Sequence, residues 1–144
     1  IDLGSAGASA NQTSNPVAGP NHLQNYPSLS SAVRASTTSS TLVASGSLHS
    51  APNSVYRIDL YAATGCDLAT NRGNAERYLG YAYAVTNSSG DAIYALTVPA
   101  PPSPVYDTAT ATATSSGGDT SEIGSCVDIT IGALPDLMFK NGFE

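Results

Sequence analysis

The chain has no tryptophan, two phenylalanines, one methionine and a single lysine, Lys140, in 144 residues. Each shortage removes a class of function. Gripping a nucleic-acid backbone takes clustered Lys and Arg, and five basic residues against eleven acidic ones, a net charge of -6, do not supply them. The same balance disfavours anionic lipid surfaces. No apolar run approaches the ~20 residues of a membrane span, so neither a span nor a secretory leader is expected within these residues. With two histidines and scattered carboxylates, no set of titratable groups converges as an active-site cleft requires, so neither an enzyme nor a cofactor is expected.

What is abundant is Gly, Pro, Ser and Thr, the composition of a turn-rich, hydroxyl-coated surface. Leu, Ile, Val and Phe make up only about a fifth of the chain. A core that thin calls for a staple or a partner.

The large apolar residues alternate. Leu42, Ala44, Gly46 and Leu48 share a face in 40–48, and Tyr56, Ile58 and Leu60 do so in 54–62. In 77–86 the spacing predicts Leu79, Tyr81, Tyr83 and Val85 on one face, and in 92–98 Ala92, Tyr94, Leu96 and Val98 form the buried stripe. Between these two, Asn87-Ser88-Ser89-Gly90-Asp91 predicts a hairpin turn. Residues 105–114 alternate Thr with Ala109, Ala111 and Ala113, small side chains that let a facing sheet come close. A last strand is predicted over 123–131 and a first one near 26–33. Period-two segments with frequent turns and no helical window predict an all-β sandwich of about seven strands.

Two segments flank it. Residues 1–25 are rich in Gly, Ala, Ser and Asn and have no period, which predicts an extended arm or linker before a sandwich over 26–132. Residues 133–144 gather Leu134, Leu137, Met138, Phe139 and Phe143 into an apolar tail that must dock on its own domain or on another chain.

Ile1-Asp2-Leu3-Gly4 followed by Gly19-Pro20-Asn21-His22-Leu23-Gln24-Asn25-Tyr26-Pro27 resembles a junction in large exported bacterial proteins. There an IDLG…GPN-LQN-[FY]P stretch closes a parallel β-helix and leads into an immunoglobulin-like sandwich. The resemblance continues through Tyr56-Arg57-Ile58-Asp59-Leu60-Tyr61-Ala62, Leu79-Gly80, Ala111-Thr112-Ala113-Thr114 and Thr120-Ser121-Glu122. Phe139-Lys140-Asn141-Gly142-Phe143-Glu144 is similar to the F-x-[DN]-G-F-E ending of many exported gammaproteobacterial proteins. The resemblance implies an immunoglobulin-like antiparallel fold, export, and a secreted or cell-surface role without catalytic residues. It departs at the first loop. Where the family is aspartate-rich, 5–17 offers only Asn11 and Asn15, so no metal is expected there.

In an exported chain the only two cysteines, Cys66 and Cys126, are expected to form a disulfide. Family comparison puts one after the third strand and the other in the last. Alternation turns Cys126 away from the Ile123/Val127/Ile129 face, which predicts an outer staple worth roughly 3–4 kcal/mol rather than an inter-sheet bridge.

His22 and His49 sit in turns with no ligand partner at a metal-binding spacing, and His49-Ser50 lacks the elbow and acid of a nucleophile, so both are expected as surface side chains. Of the eight tyrosines, Tyr56, Tyr81, Tyr83 and Tyr94 are predicted core residues. Tyr26, Tyr61, Tyr78 and Tyr106 remain for the surface, with Tyr61 and Tyr106 the candidates for holding a glycan. Two functions follow. The chain is expected to be an extracellular building block that self-assembles into a filament or polymer by β-strand addition. Its anchors would be Ile1, Leu3, Val17 and Leu23 in the arm and Leu134, Leu137, Phe139 and Phe143 in the tail. The alternative is a monomeric adhesion or carbohydrate-binding module at the end of a larger secreted protein.

Overall fold

The computed structural model describes residues 3, 7–67 and 69–133. Seven strands follow in order: β1 (Ser28–Arg34), β2 (Thr41–His49), β3 (Val55–Ala63), β4 (Arg77–Val85), β5 (Asp91–Pro99), β6 (Thr108–Ser115) and β7 (Val127–Ile131). The all-β class holds, with the expected number of strands. They form one mixed sheet in the order β4-β3-β6-β7-β1-β2-β5, in which only β1 and β7 run parallel. No helix among the described residues is long and apolar enough to cross a membrane.

The sheet folds over on itself, because each half is apolar on one face only. Leu42, Leu48 and Leu96 from the β1-β2-β5 half share one core with Ile58, Leu60 and Ala111 from the β4-β3-β6 half. Ile58, Leu60 and Leu42 are fully buried, each contributing about 1.5–3 kcal/mol relative to exposure. The alanines of β6 point inward as expected and admit the larger side chains opposite. β7 is the seam between the halves, pairing with Thr108–Ala109 of β6 on one side and Ala32–Arg34 of β1 on the other.

Three local expectations are corrected. The Asn87–Asp91 segment is a turn but not a hairpin. Asn87 Oδ1 accepts the N–H groups of Ser89 and Asp91, yet β4 pairs with β3 and β5 with β2, so the turn carries the chain from one half to the other. Gly90 fits it with φ 85° and lies so close to the Ser50 carbonyl that a Cβ would fall 2.2 Å from it.

In β4 the alternation breaks at Gly80. Leu60 and Tyr61 of β3 pair with Gly80 and Tyr78, leaving Leu79 as an extra, bulged residue. Leu79 stays buried, but beyond the bulge Ala82 and Ala84 turn inward and Tyr81 and Tyr83 turn out, 52% and 62% exposed. Tyr81 and Tyr83 are therefore not core residues, while Tyr56 and Tyr94 are.

The last strand begins at Val127 rather than near 123. Gly124 is wedged between the backbones of Pro27 and Ala111, where a Cβ would lie 2.5 Å and 3.3 Å from their carbonyl oxygens. Residues 120–126 accordingly run along β6 through isolated contacts before the ladder starts.

Candidate functional site

The outward face of β3 and β4 collects side chains that the bulge brings into line. Arg57 is paired with Tyr83, Asp59 with Tyr81, and Tyr61 with Tyr78. The Arg57 guanidinium lies 4.1 Å over the Tyr81 ring, its Nε donates to Asp59 Oδ1 at 3.0 Å, and another of its N–H groups donates to Tyr78 Oη at 3.2 Å. Tyr78 Oη in turn donates to the same Asp59 oxygen at 2.9 Å. Hydrogen bonding to Tyr78 and Asp59 raises the Arg57 pKa, while burial is the main influence raising that of Tyr78. Tyr61 meets Tyr78 edge-on at 5.5 Å, and Tyr81 meets Tyr83 edge-on at 5.7 Å.

This makes a platform of four tyrosine rings around an arginine–aspartate pair. Exposed ion pairs of this kind add little to stability, so the platform is poorly explained as a fold-stabilising device. Chemically it offers flat π faces for C–H-rich surfaces, with fixed donors and acceptors beside them for hydroxyl groups.

Of the two expected ligand aromatics, Tyr61 joins this platform and is half-buried. Tyr106 instead packs against the core, with the Arg77 guanidinium 5.7 Å from its ring. Sequence reasoning missed Arg57 and Asp59 and assigned Tyr81 and Tyr83 to the wrong face. The available signal was Gly80, a glycine inside a strand pattern, which marks a bulge.

Cys66 and Cys126 are bonded, with Cα atoms 6.1 Å apart. The disulfide ties the β3–β4 connection to the segment entering β7, with Cys126 buried and just before the last strand rather than in it. Around it the Gly73 N–H donates to the Gly124 carbonyl at 3.1 Å, and the Cys126 N–H to the Asn71 carbonyl at 3.2 Å.

The arm does not hang free. Leu3 is 3% exposed, and its N–H donates to Glu122 Oε1 at 2.9 Å, while the Ser9 N–H donates to Oε2 at 2.8 Å. Burial pushes the Glu122 pKa up, but these amides and the charge of Arg72 together hold it below its ordinary value. Arg72 donates to the Ser9 and Ile123 carbonyls and lies over the Tyr26 ring at 4.0 Å. Val17 and Leu23 are half-buried, Val17 donating its N–H to the His22 carbonyl. Ile1, Leu134, Leu137, Phe139 and Phe143 lie outside the described residues.

Asn11, Asn15 and Asn25 bind backbone. Asn11 exchanges two hydrogen bonds with Tyr26, and Asn25 does the same with Gln12. Asn15 accepts the Asn25 N–H and donates to the Leu23 carbonyl. The two histidines, expected without partners, each meet an aspartate: His22 lies 2.8 Å from Asp119 and His49 lies 2.7 Å from Asp91. The aspartates are remote in sequence, so local spacing gave no sign of them. Among the described residues no three His, Cys, Asp or Glu side chains gather as a metal site.

No protein-family model matches this chain, and no curated protein matches it. Function therefore rests on the geometry of these faces.

Proposed function

We propose that the chain is a non-catalytic extracellular module, an immunoglobulin-like sandwich of exported bacterial proteins, that binds carbohydrate on the outward face of β3 and β4. The observation that carries this reading is the Arg57–Asp59–Tyr78 lattice, which fixes four tyrosine rings at the surface. A pyranose ring stacks its C–H face on such a platform while its hydroxyls take up polar partners at the rim. The disulfide supports an oxidising, extracellular setting, and the Ser/Thr-rich composition is compatible with it. Glycan-array binding by the wild type that is lost in Tyr81→Ala and Tyr83→Ala, with the fold intact by circular dichroism, is the expected result. Binding retained by both variants, or no glycan bound by the wild type, refutes it.

A second reading, the self-assembling building block, is favoured by β5. This strand ends the sheet order, and Ile93 on it is 88% exposed. An apolar segment such as 133–144 from a neighbouring copy would add there by main-chain hydrogen bonding. Filaments in electron micrographs of the purified protein support this reading, and monodisperse monomers at high concentration exclude it.

A further inference from the structure

The outward face of β4, β3 and β6 is open along one line. On β6, Thr110 and Thr112 are buried. Gly73 of the β3–β4 connection lies so close over Thr110 that a Cβ on it would fall 2.3 Å from the threonine Cβ, so the connection closes that side. On β4, which ends the sheet order, Tyr78, Tyr81, Tyr83 and Val85 are each about half exposed or more. The open surface is therefore a strip along β4, with Arg57 and Asp59 of β3 as its inner margin. From Tyr78 to Val85 it runs roughly 20 Å at the rise of an extended strand.

Two features of the strip choose among glycans. Its rings are not coplanar: Tyr81 and Tyr83 meet at 78°, and Tyr61 and Tyr78 at 63°. The face of a crystalline polymer is one plane and lies flat on only one ring of each pair. A single chain turns at its glycosidic bonds and follows successive rings. The strip is also neutral. Arg57 is paired with Asp59, and Arg77 at the start of β4 is turned to Tyr106. An acidic glycan thus gains no unpaired cation from Arg57 and meets the Asp59 carboxylate in a protein of net charge -6. Both hydrogen bonds that Asp59 accepts among the described residues fall on Oδ1, which leaves Oδ2 for a sugar hydroxyl.

We propose that the strip binds a neutral, linear polysaccharide as a single chain lying along β4, with successive sugars on Tyr78, Tyr81 and Tyr83. A chain end, an acidic glycan and a crystalline surface are the ligands it does not fit. The proposal rests on the carbohydrate reading above and adds the class of glycan and its direction. A lone sugar gains one stacking contact on such a strip, whereas a chain gains the sum of several.

The test titrates the full chain calorimetrically with hexasaccharides of β-linked glucose, xylose, mannose and N-acetylglucosamine, with their disaccharides and monosaccharides, and with hexagalacturonate. At least one neutral hexasaccharide should bind at least tenfold more tightly than its disaccharide, with no competition from the monosaccharide. Hexagalacturonate should not bind. Tyr83→Ala, at an exposed position and with its fold intact by circular dichroism, should lower the hexasaccharide affinity at least tenfold. Three results would each overturn the proposal while leaving carbohydrate binding standing: equal affinity for monosaccharide and hexasaccharide, binding of hexagalacturonate, or retention on crystalline cellulose that no soluble hexasaccharide displaces. Binding of none of these glycans, or binding unchanged in Tyr81→Ala and Tyr83→Ala alike, would overturn the carbohydrate reading and the proposal together.

Discussion

His49 sits between two acceptors: Nδ1 lies 2.7 Å from an Asp91 carboxylate oxygen and Nε2 lies 2.9 Å from the Thr13 carbonyl. Both ring nitrogens must donate to satisfy this geometry, which selects the imidazolium form. The hydrogen bond to Asp91, and then that to Thr13, raises the His49 pKa above 6.5. The contribution to stability is therefore complete below pH 6.5 and is lost as pH rises through the raised folded value. Titration by NMR should place His49 above an ordinary histidine, and Asp91→Asn should bring it down. An unshifted His49 in the wild type contradicts this pairing.

Glu122 works in the opposite direction. Its pKa lies below the ordinary 4.5, so its contribution is present above that value and fades as pH falls through the folded one. Urea midpoints should fall between pH 4.5 and lower pH in the wild type and change less in Glu122→Gln. At neutral pH that substitution should cost about 1–3 kcal/mol, since it loosens buried bonds to a charged group. Parallel pH profiles for the two proteins would remove Glu122 as the cause.

Replacing Cys66 and Cys126 together by serine should lower unfolding free energy by roughly 3–4 kcal/mol, because the bond closes a loop with a sequence separation of 60. Denaturant titration with and without reductant gives the value. A reductant that leaves the wild-type midpoint unmoved would show the staple to be energetically idle.

Gly46 and Gly65 make a matched pair. A Cβ on Gly46 would fall 1.9 Å from the Ser28 carbonyl oxygen, which accepts the Tyr94 hydroxyl at 2.8 Å, whereas nothing lies within 4 Å of one on Gly65. Gly46→Ala should cost about 3 kcal/mol or more, and Gly65→Ala about 0.5 kcal/mol or less. Similar thermal midpoints for the two would contradict the close approach of β1 and β2.

The strands were legible because a half-buried strand writes its face into every second residue, as Tyr56, Ile58 and Leu60 do. Partnership is not written locally. Asn87 and Gly90 specify a turn by bonds to each other, and nothing in those five residues says whether the strands on either side meet. One bulged residue, Leu79, sufficed to reverse the face of Tyr81 and Tyr83, which hid most of the candidate site. Nothing near Glu122 in sequence announces its role either, because the amides it accepts come from Leu3 and Ser9, more than a hundred positions away.

The seam strand also sets the order of events in folding. β1 and β2 are neighbours in sequence and can pair early, but Ala32 waits for Ile129 and Ala109 for Val127. Until the last of these residues joins, the halves remain two open leaves with one apolar face each. Closure is thus a late, long-range step, slow by the rule that distant pairings cost loop entropy before they return contacts. A chain emerging N-terminus first would stay unlatched until Val127–Ile131 is made.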